Sequence, residues 1–177
     1  MPLNVASSVQ IVILALGFYL PACGPNLEQQ TAEQDVQLQA PSRNDFPPVS
    51  DALQLRCATL DCHGQVGRNL RIYGYGGLRL SATQSPLDFP TVDAEYQASY
   101  DSVVSLEPEA LSQVVTLEAD PNSLSMIRKP RGLEHHKGGQ EMRAGDALDR
   151  CIVLWLQNKA DAAPCTEVVE ARRPSTE

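Results

Sequence analysis

Apolar residues recur at three- and four-residue intervals in four stretches of the chain. Val49, Ala52, Leu53, Cys57 and Leu60 follow a Pro47-Pro48 start with Ser50 and Asp51 near the first turn. This spacing predicts a short helix that carries Cys57 on its inward face. Thr91 stands where it can cap a second helix, with Tyr96, Tyr100, Val103 and Val104 on its inward side. After Pro108 a third segment carries Leu111, Val114, Val115 and Leu117. Finally Asp146 precedes Ala147, Leu148, Cys151, Ile152, Trp155 and Leu156, a strong stripe that predicts a helix ending near Asn158. Between the first two helices, "NLRIYGYGGLRL" (69 to 80) has two short apolar pieces around Gly74, Gly76 and Gly77, and suits a small hairpin or an extended loop. No internal repeat, Gly-rich phosphate loop or Ser-centred nucleophile elbow occurs. The fold class expected is all-α, a small helical domain with long loops and room for one short hairpin.

The two ends read differently. Ile11 to Leu20 is apolar, too short to span a bilayer as a mature helix and of the length found in signal-peptide cores. It ends in Leu20-Pro21-Ala22-Cys23, which resembles the lipobox of bacterial lipoproteins; that resemblance implies lipidation of Cys23 and cleavage before it. An uncleaved anchor helix is the alternative. Residues 24 to 48, rich in Gln, Glu, Pro and Ala, show no period that could bury a face and read as a tether. The expected organisation is therefore a lipoprotein-type signal peptide over 1–22, a disordered tether over 23–48, a folded domain over 49–165 and a disordered tail over 166–177.

At 177 residues the chain suits one domain. Its 14 basic and 22 acidic side chains give a net charge of -8, which argues against nucleic acid as a partner. Export places the five cysteines where disulfides persist. With Cys23 set aside, four remain. Cys151 and Cys165 bracket the last helix and are expected to pair, provided the chain turns back after Asn158 to bring them within reach.

The other two cysteines lie in "CATLDCH" (57 to 63). A helix delivering two thiols and ending directly in a histidine offers two covalent anchors and one imidazole, which is what c-type haem attachment requires. The common spacing is C-x-x-C-H; here four residues separate the cysteines, a variant that resembles attachment sites of multihaem cytochromes. On this reading Cys57 and Cys62 form the thioethers and His63 is the proximal iron ligand. Two other readings stay open: a Cys57–Cys62 disulfide with His63 as a turn residue, and a tetrahedral zinc held by Cys57, Cys62, His63 and one distant histidine.

Both remaining histidines fall within "SLSMIRKPRGLEHHKGGQEMRAGDALDRCIVLWL" (123 to 156). Ser123-Leu124 with Lys129, then His136-Lys137-Gly138-Gly139-Gln140, then Trp155-Leu156 resemble the end of the small planctomycete-type cytochrome c domain. Upstream, "CHG" (62 to 64) and "GGLRL" (76 to 80) are similar to that family's corresponding elements, with Ser81 where the family has Asp. The resemblance spans roughly residues 49 to 160. It implies a cytochrome c-like fold and His136 as the distal iron ligand. His135, Met126 and Met142 are the competitors; on its apolar helical face Met126 is better suited to filling the core.

The expectation is an exported, lipid-anchored protein of the periplasm or cell surface that carries covalent haem c and iron. It would pass single electrons to a redox partner in the cell envelope, and a bis-His iron favours a lower potential than His/Met. It would not be an enzyme, since both axial positions would be filled and no acid–base constellation appears. The alternative is a haem-free binding or scaffold lipoprotein braced by two disulfides.

Overall fold

The computed structural model describes residues 37–159 and 161–172. The signal peptide, Cys23 and the first part of the tether lie outside these residues. Six α-helices follow in order: α1 (Phe46–Arg56), α2 (Asp93–Val104), α3 (Pro108–Val115), the single turn α4 (Ser125–Arg128), α5 (Ala147–Leu156) and α6 (Ala163–Glu170). There is no strand among the described residues, which form an all-α domain, and none of the helices described is long and apolar enough to cross a membrane.

The best-formed helix is the one with the clearest sequence signal. Asp146 accepts a hydrogen bond from Asp149 N at 2.9 Å and so caps α5, whose stripe of Leu148, Cys151, Ile152, Trp155 and Leu156 is buried. Across it, α1 buries Phe46, Val49, Ala52 and Leu53. Phe46 packs between the rings of Tyr100 and Trp155, at centroid distances of 5.6 and 4.9 Å.

Residues 37–48 are not tether where they are described. Pro41 is buried; its carbonyl accepts from the Tyr100 hydroxyl, and that of Ser42 accepts from Trp155 Nε1 at 2.8 Å. The reason is polar: two aromatic donors inside the core need acceptors, and this segment supplies them. Nor do residues 166–172 fray. Residues 166–170 continue α6, which packs on α1 and α5 and buries Val168, and 171–172 form the turn that ends it. Cys165 on α6 is bonded to Cys151, with Cα atoms 4.8 Å apart. The reversal this needs is made at Asn158, in the left-handed conformation at φ 52°.

The inward face of α2 also departs from expectation. Its most buried residues are Glu95, Ser99, Ser102 and Val103, whereas Tyr96, Tyr100 and Val104 are half-buried. Thr91 does not cap it; the Thr91 hydroxyl donates to Gln54 Oε1, and the Glu95 carboxylate reaches back to accept from the N–H of the N-cap Val92. The polar stripe exists because α2 faces the 69–80 segment, an extended loop with a single bridge between Tyr73 and Leu78 in place of a hairpin. That loop has no strand partner for its backbone. Ser102 Oγ takes the Arg71 N–H at 2.7 Å and Ser99 Oγ the Tyr73 N–H at 2.8 Å. Leu60 and Leu117, expected inside, are 52% and 59% exposed, because each follows the end of its helix and Leu117 sits at φ 63°.

Candidate functional site

The site begins where α1 stops. Cys57 is the C-cap, its N–H bonded to Leu53 O at 2.7 Å. The chain then loops out through the four residues between the cysteines and returns, so that His63 N donates to Cys57 O at 3.0 Å. Cys62 N and Gly64 N both bond to Thr59 O, which makes the loop tight. A Cβ at position 64 would stand 2.2 Å from Ala58 O, well inside contact, so only glycine fits there. Downstream, Ile72 N bonds to His63 O, and Leu70 O lies 3.0 Å from His63 Nδ1.

The second histidine arrives on a loop closed at Pro130, whose carbonyl accepts from both Glu141 N and Met142 N. Arg131 fastens this loop to α5 by pairing with the buried Asp149 at 2.5 Å. Arg56 ties it to the end of α1 through Glu141 O. Within the loop, Gly139 adopts φ 76° and turns its carbonyl back to 2.8 Å from His136 Nδ1.

These two frameworks bring His63 and His136 together. Their ring centroids are 6.2 Å apart and their planes lie within 16° of parallel. At each ring the Nδ1 partner is a backbone carbonyl, which can only accept. Nδ1 therefore carries the proton, and Nε2 keeps its lone pair for a ligand. Burial, foremost, pushes the His63 pKa below the ordinary imidazole value, with His136, Arg68 and Lys129 nearby acting the same way and the Leu70 hydrogen bond opposing. The neutral ring is thus the native form at neutral pH.

Both rings line one cavity of about 590 Å³, together with Cys57, Leu53, Met126 and Met142 among others. Its volume falls in the range of small-molecule and cofactor sites. Leu70, Leu148 and Ile152 add apolar wall, and Arg68, Arg128 and Lys129 sit on its border. Glu134 takes up the last two, at 3.0 and 3.6 Å, and its hydrogen bond from Arg128 holds its carboxyl below the usual range. Desolvation pushes the Cys57 thiol up to about 12, so it stays protonated.

Of the residues singled out by sequence, Cys57, His63 and His136 meet at this cavity, while Cys62 is half-buried beside it and does not line it. His135 is exposed and points no ring into the cavity lining. Met126 is half-buried on the wall and Met142 fully buried there. Cys57 and Cys62 are both free thiols, so the second disulfide of the scaffold alternative is not formed. Among the described residues no three His, Cys, Asp or Glu side chains gather around a point that could hold an ion, so the tetrahedral zinc set does not assemble. Sequence reasoning missed the Leu70 carbonyl, which no side-chain pattern announces; Gly139 entered it only as part of the matched His-Lys-Gly-Gly-Gln stretch.

Compared with known proteins, the chain matches no family model, no curated protein and no solved structure.

Proposed function

We propose that this chain is an exported, lipid-anchored c-type haem protein that passes single electrons within the cell envelope, on a cytochrome c-like fold. The observation that carries the reading is the pairing of His63 with His136. A metal–imidazole bond is about 2 Å; two in line, with roughly one ångström from nitrogen to ring centre on each side, put the centroids roughly 6 Å apart. The rings stand 6.2 Å apart, each with Nδ1 engaged and Nε2 free. No third protein ligand is needed if a macrocycle supplies the remaining nitrogens.

On this reading Cys57 and Cys62 would hold the porphyrin through thioethers, and His63 and His136 would ligate its iron. The group would supply one-electron chemistry when bound. The chain's own contribution is to fix both imidazoles by their Nδ1 bonds, wall the cavity with apolar side chains and leave no open coordination position for substrate. Bis-imidazole ligation in apolar surroundings sets the potential below that of a His/Met site. Anchoring through Cys23 and placement outside the cytosol rest on the sequence.

The test is production alongside haem-ligation machinery. A Soret band and a pyridine haemochrome that resist acid-acetone extraction are expected; a colourless protein overturns the reading. His136→Ala converts the spectrum from low- to high-spin, while His135→Ala leaves it unchanged.

A further inference from the structure

A second, smaller concavity adjoins the imidazole cavity and shares Gly67, Arg68, Asn69 and Leu106 with its wall. Arg71 and Ser105 complete most of its lining, and its volume is about 440 Å³. Its surroundings are cationic, against the trend of a chain of net charge -8. Neither Arg68 nor Arg71 forms a salt bridge among the described residues. Arg68 donates only to backbone carbonyls, from Nε to Cys62 O at 3.2 Å and from Nη2 to Asp61 O at 3.4 Å, so its charge is uncompensated.

Arg71 is the more telling residue. Its backbone is fixed by the bond from its N–H to Ser102 Oγ, yet its side-chain Nε is buried with no hydrogen-bond partner. It is the one buried side-chain nitrogen or oxygen among the described residues in that state. A desolvated guanidinium N–H left unpaired is costly, and a bound water, ion or ligand group is what would complete it. Two guanidinium groups flanking one pocket also repel each other unless an anion lies between them. Planar, forked donors select a planar, two-oxygen acceptor.

We propose that Arg68 and Arg71 form a carboxylate-binding site at the lip of the imidazole cavity, and that its occupant is a propionate arm of the porphyrin. The source of the carboxylate rests on the haem reading given above. The carboxylate chemistry rests on the two arginines. Arg128 and Lys129, also at the first cavity, share Glu134, the Arg128 fork is further occupied by the carbonyls of Asn122 and Ser123, and neither residue lines the second concavity.

The test uses the full-length chain in detergent, reduced and free of haem, titrated with haemin and with haemin dimethyl ester, whose carboxylates are masked. Wild type is expected to bind haemin about tenfold or more tightly than the ester, the scale of charge-assisted hydrogen bonds. Arg68→Gln/Arg71→Gln should bring the two affinities within about twofold, chiefly by weakening haemin. Equal binding of haemin and ester by wild type, or the same discrimination in the double variant, overturns the proposal. The Arg71 Nε–H resonance of wild type gives a reading independent of any variant's folding, and it should shift with haemin and not with the ester. If neither porphyrin binds, the haem reading is decided separately by production alongside the ligation machinery, which makes the thioethers that free haemin does not. Succinate then decides the site: a saturable shift of that resonance upholds a carboxylate site with another source, and no shift ends it.

Discussion

Arg79 and Glu95 form an ion pair at 2.8 Å in which the two side chains are only 2% and 1% exposed. Glu95 also accepts from Leu80 N and Val92 N, while Arg79 donates to the carbonyls of Phe89 and Pro90 and to Gln84. One pair thus closes the loop between residues 79 and 95 on the first turn of α2. The loop itself runs over the surface, with Leu80, Leu87 and Phe89 exposed, and the pair holds its two ends by taking up the backbone groups of Leu80, Phe89, Pro90 and Val92.

Removing one partner strands the other without water. Glu95→Leu is expected to cost about 3–5 kcal/mol, and Arg79→Met/Glu95→Leu less than the sum of the single losses. Urea denaturation of the three variants measures this; additive losses would show that the two side chains do not act as a unit.

The same pair marks where sequence patterning stops being informative. α5 was legible because a cap residue and a continuous apolar stripe both point to one face, and α1 because its proline start precedes a clean three–four repeat. α2 was read only in part: Val103 is buried and Tyr100 and Val104 pack against the core as expected, but the rest of its buried face is polar. An apolar period cannot announce a helix whose task is to accept hydrogen bonds from a loop. The cysteine–histidine cluster and His136 were visible as residue types. Their meeting across one cavity was expected from the resemblance alone and not from any periodicity, since it depends on Pro130, Arg131 and Asp149 folding a distant loop back over the end of α1.

His63 makes stability depend on pH in a definite direction. Burial holds its native pKa below the value of about 6.5 that an unfolded histidine has. As pH falls through that value the unfolded chain takes up a proton that the native ring resists. The stability contributed by the neutral ring is full above about 6.5 and is lost as pH falls through the depressed native value. Asp51, raised mainly by burial, acts in the opposite sense at lower pH. Comparing the haem-free wild type with His63→Asn removes that background. The urea midpoint of wild type should fall more between pH 7.5 and 5.5 than that of the variant, and parallel curves would contradict the argument.

Cys57 should be slow to alkylate. With its thiol pushed up to about 12, the thiolate fraction at pH 8 is about one in ten thousand, and the thiolate is the nucleophile. Iodoacetamide added to the native, haem-free protein is expected to label Cys62 well before Cys57. Both should react at similar rates in urea. Peptide mass mapping over time reads the order, and early labelling of Cys57 would show that the cavity opens freely.

Cys151–Cys165 closes a short loop that contains the Asn158 reversal and holds α6 against α1 and α5. Cys151→Ala/Cys165→Ala should lower stability by about 3 kcal/mol, the loop-entropy scale for a closure of this length. Amide exchange should quicken first in α6, because its other tie to α5 is the exposed pair of Arg150 with Glu167 at 2.8 Å, and exposed pairs contribute little. Uniform quickening across all helices would mean that the bridge supports the whole core and not this one docking.

Gly64 and Gly139 act on the same pair of imidazoles by different physics, which makes their substitutions separable. At Gly64 the obstacle is contact: a Cβ 2.2 Å from the Ala58 carbonyl forces the turn between the cysteines to open and carries His63 away from Leu70. At Gly139 nothing lies within reach of a Cβ, and the obstacle is the left-handed backbone at φ 76°. Gly139→Ala should therefore cost only about 1–2 kcal/mol and keep the turn. Gly139→Asn, which tolerates that conformation, should recover part of the loss. Gly64→Ala should do more harm than Gly139→Ala, and no other residue can rescue it, since every replacement brings the same Cβ. If haem is attached as proposed, exogenous imidazole offers the discriminating readout. It should restore a low-spin spectrum where His136 has been loosened through Gly139→Ala, and leave the defect of Gly64→Ala in place, because there the cysteine anchors are displaced along with the ring.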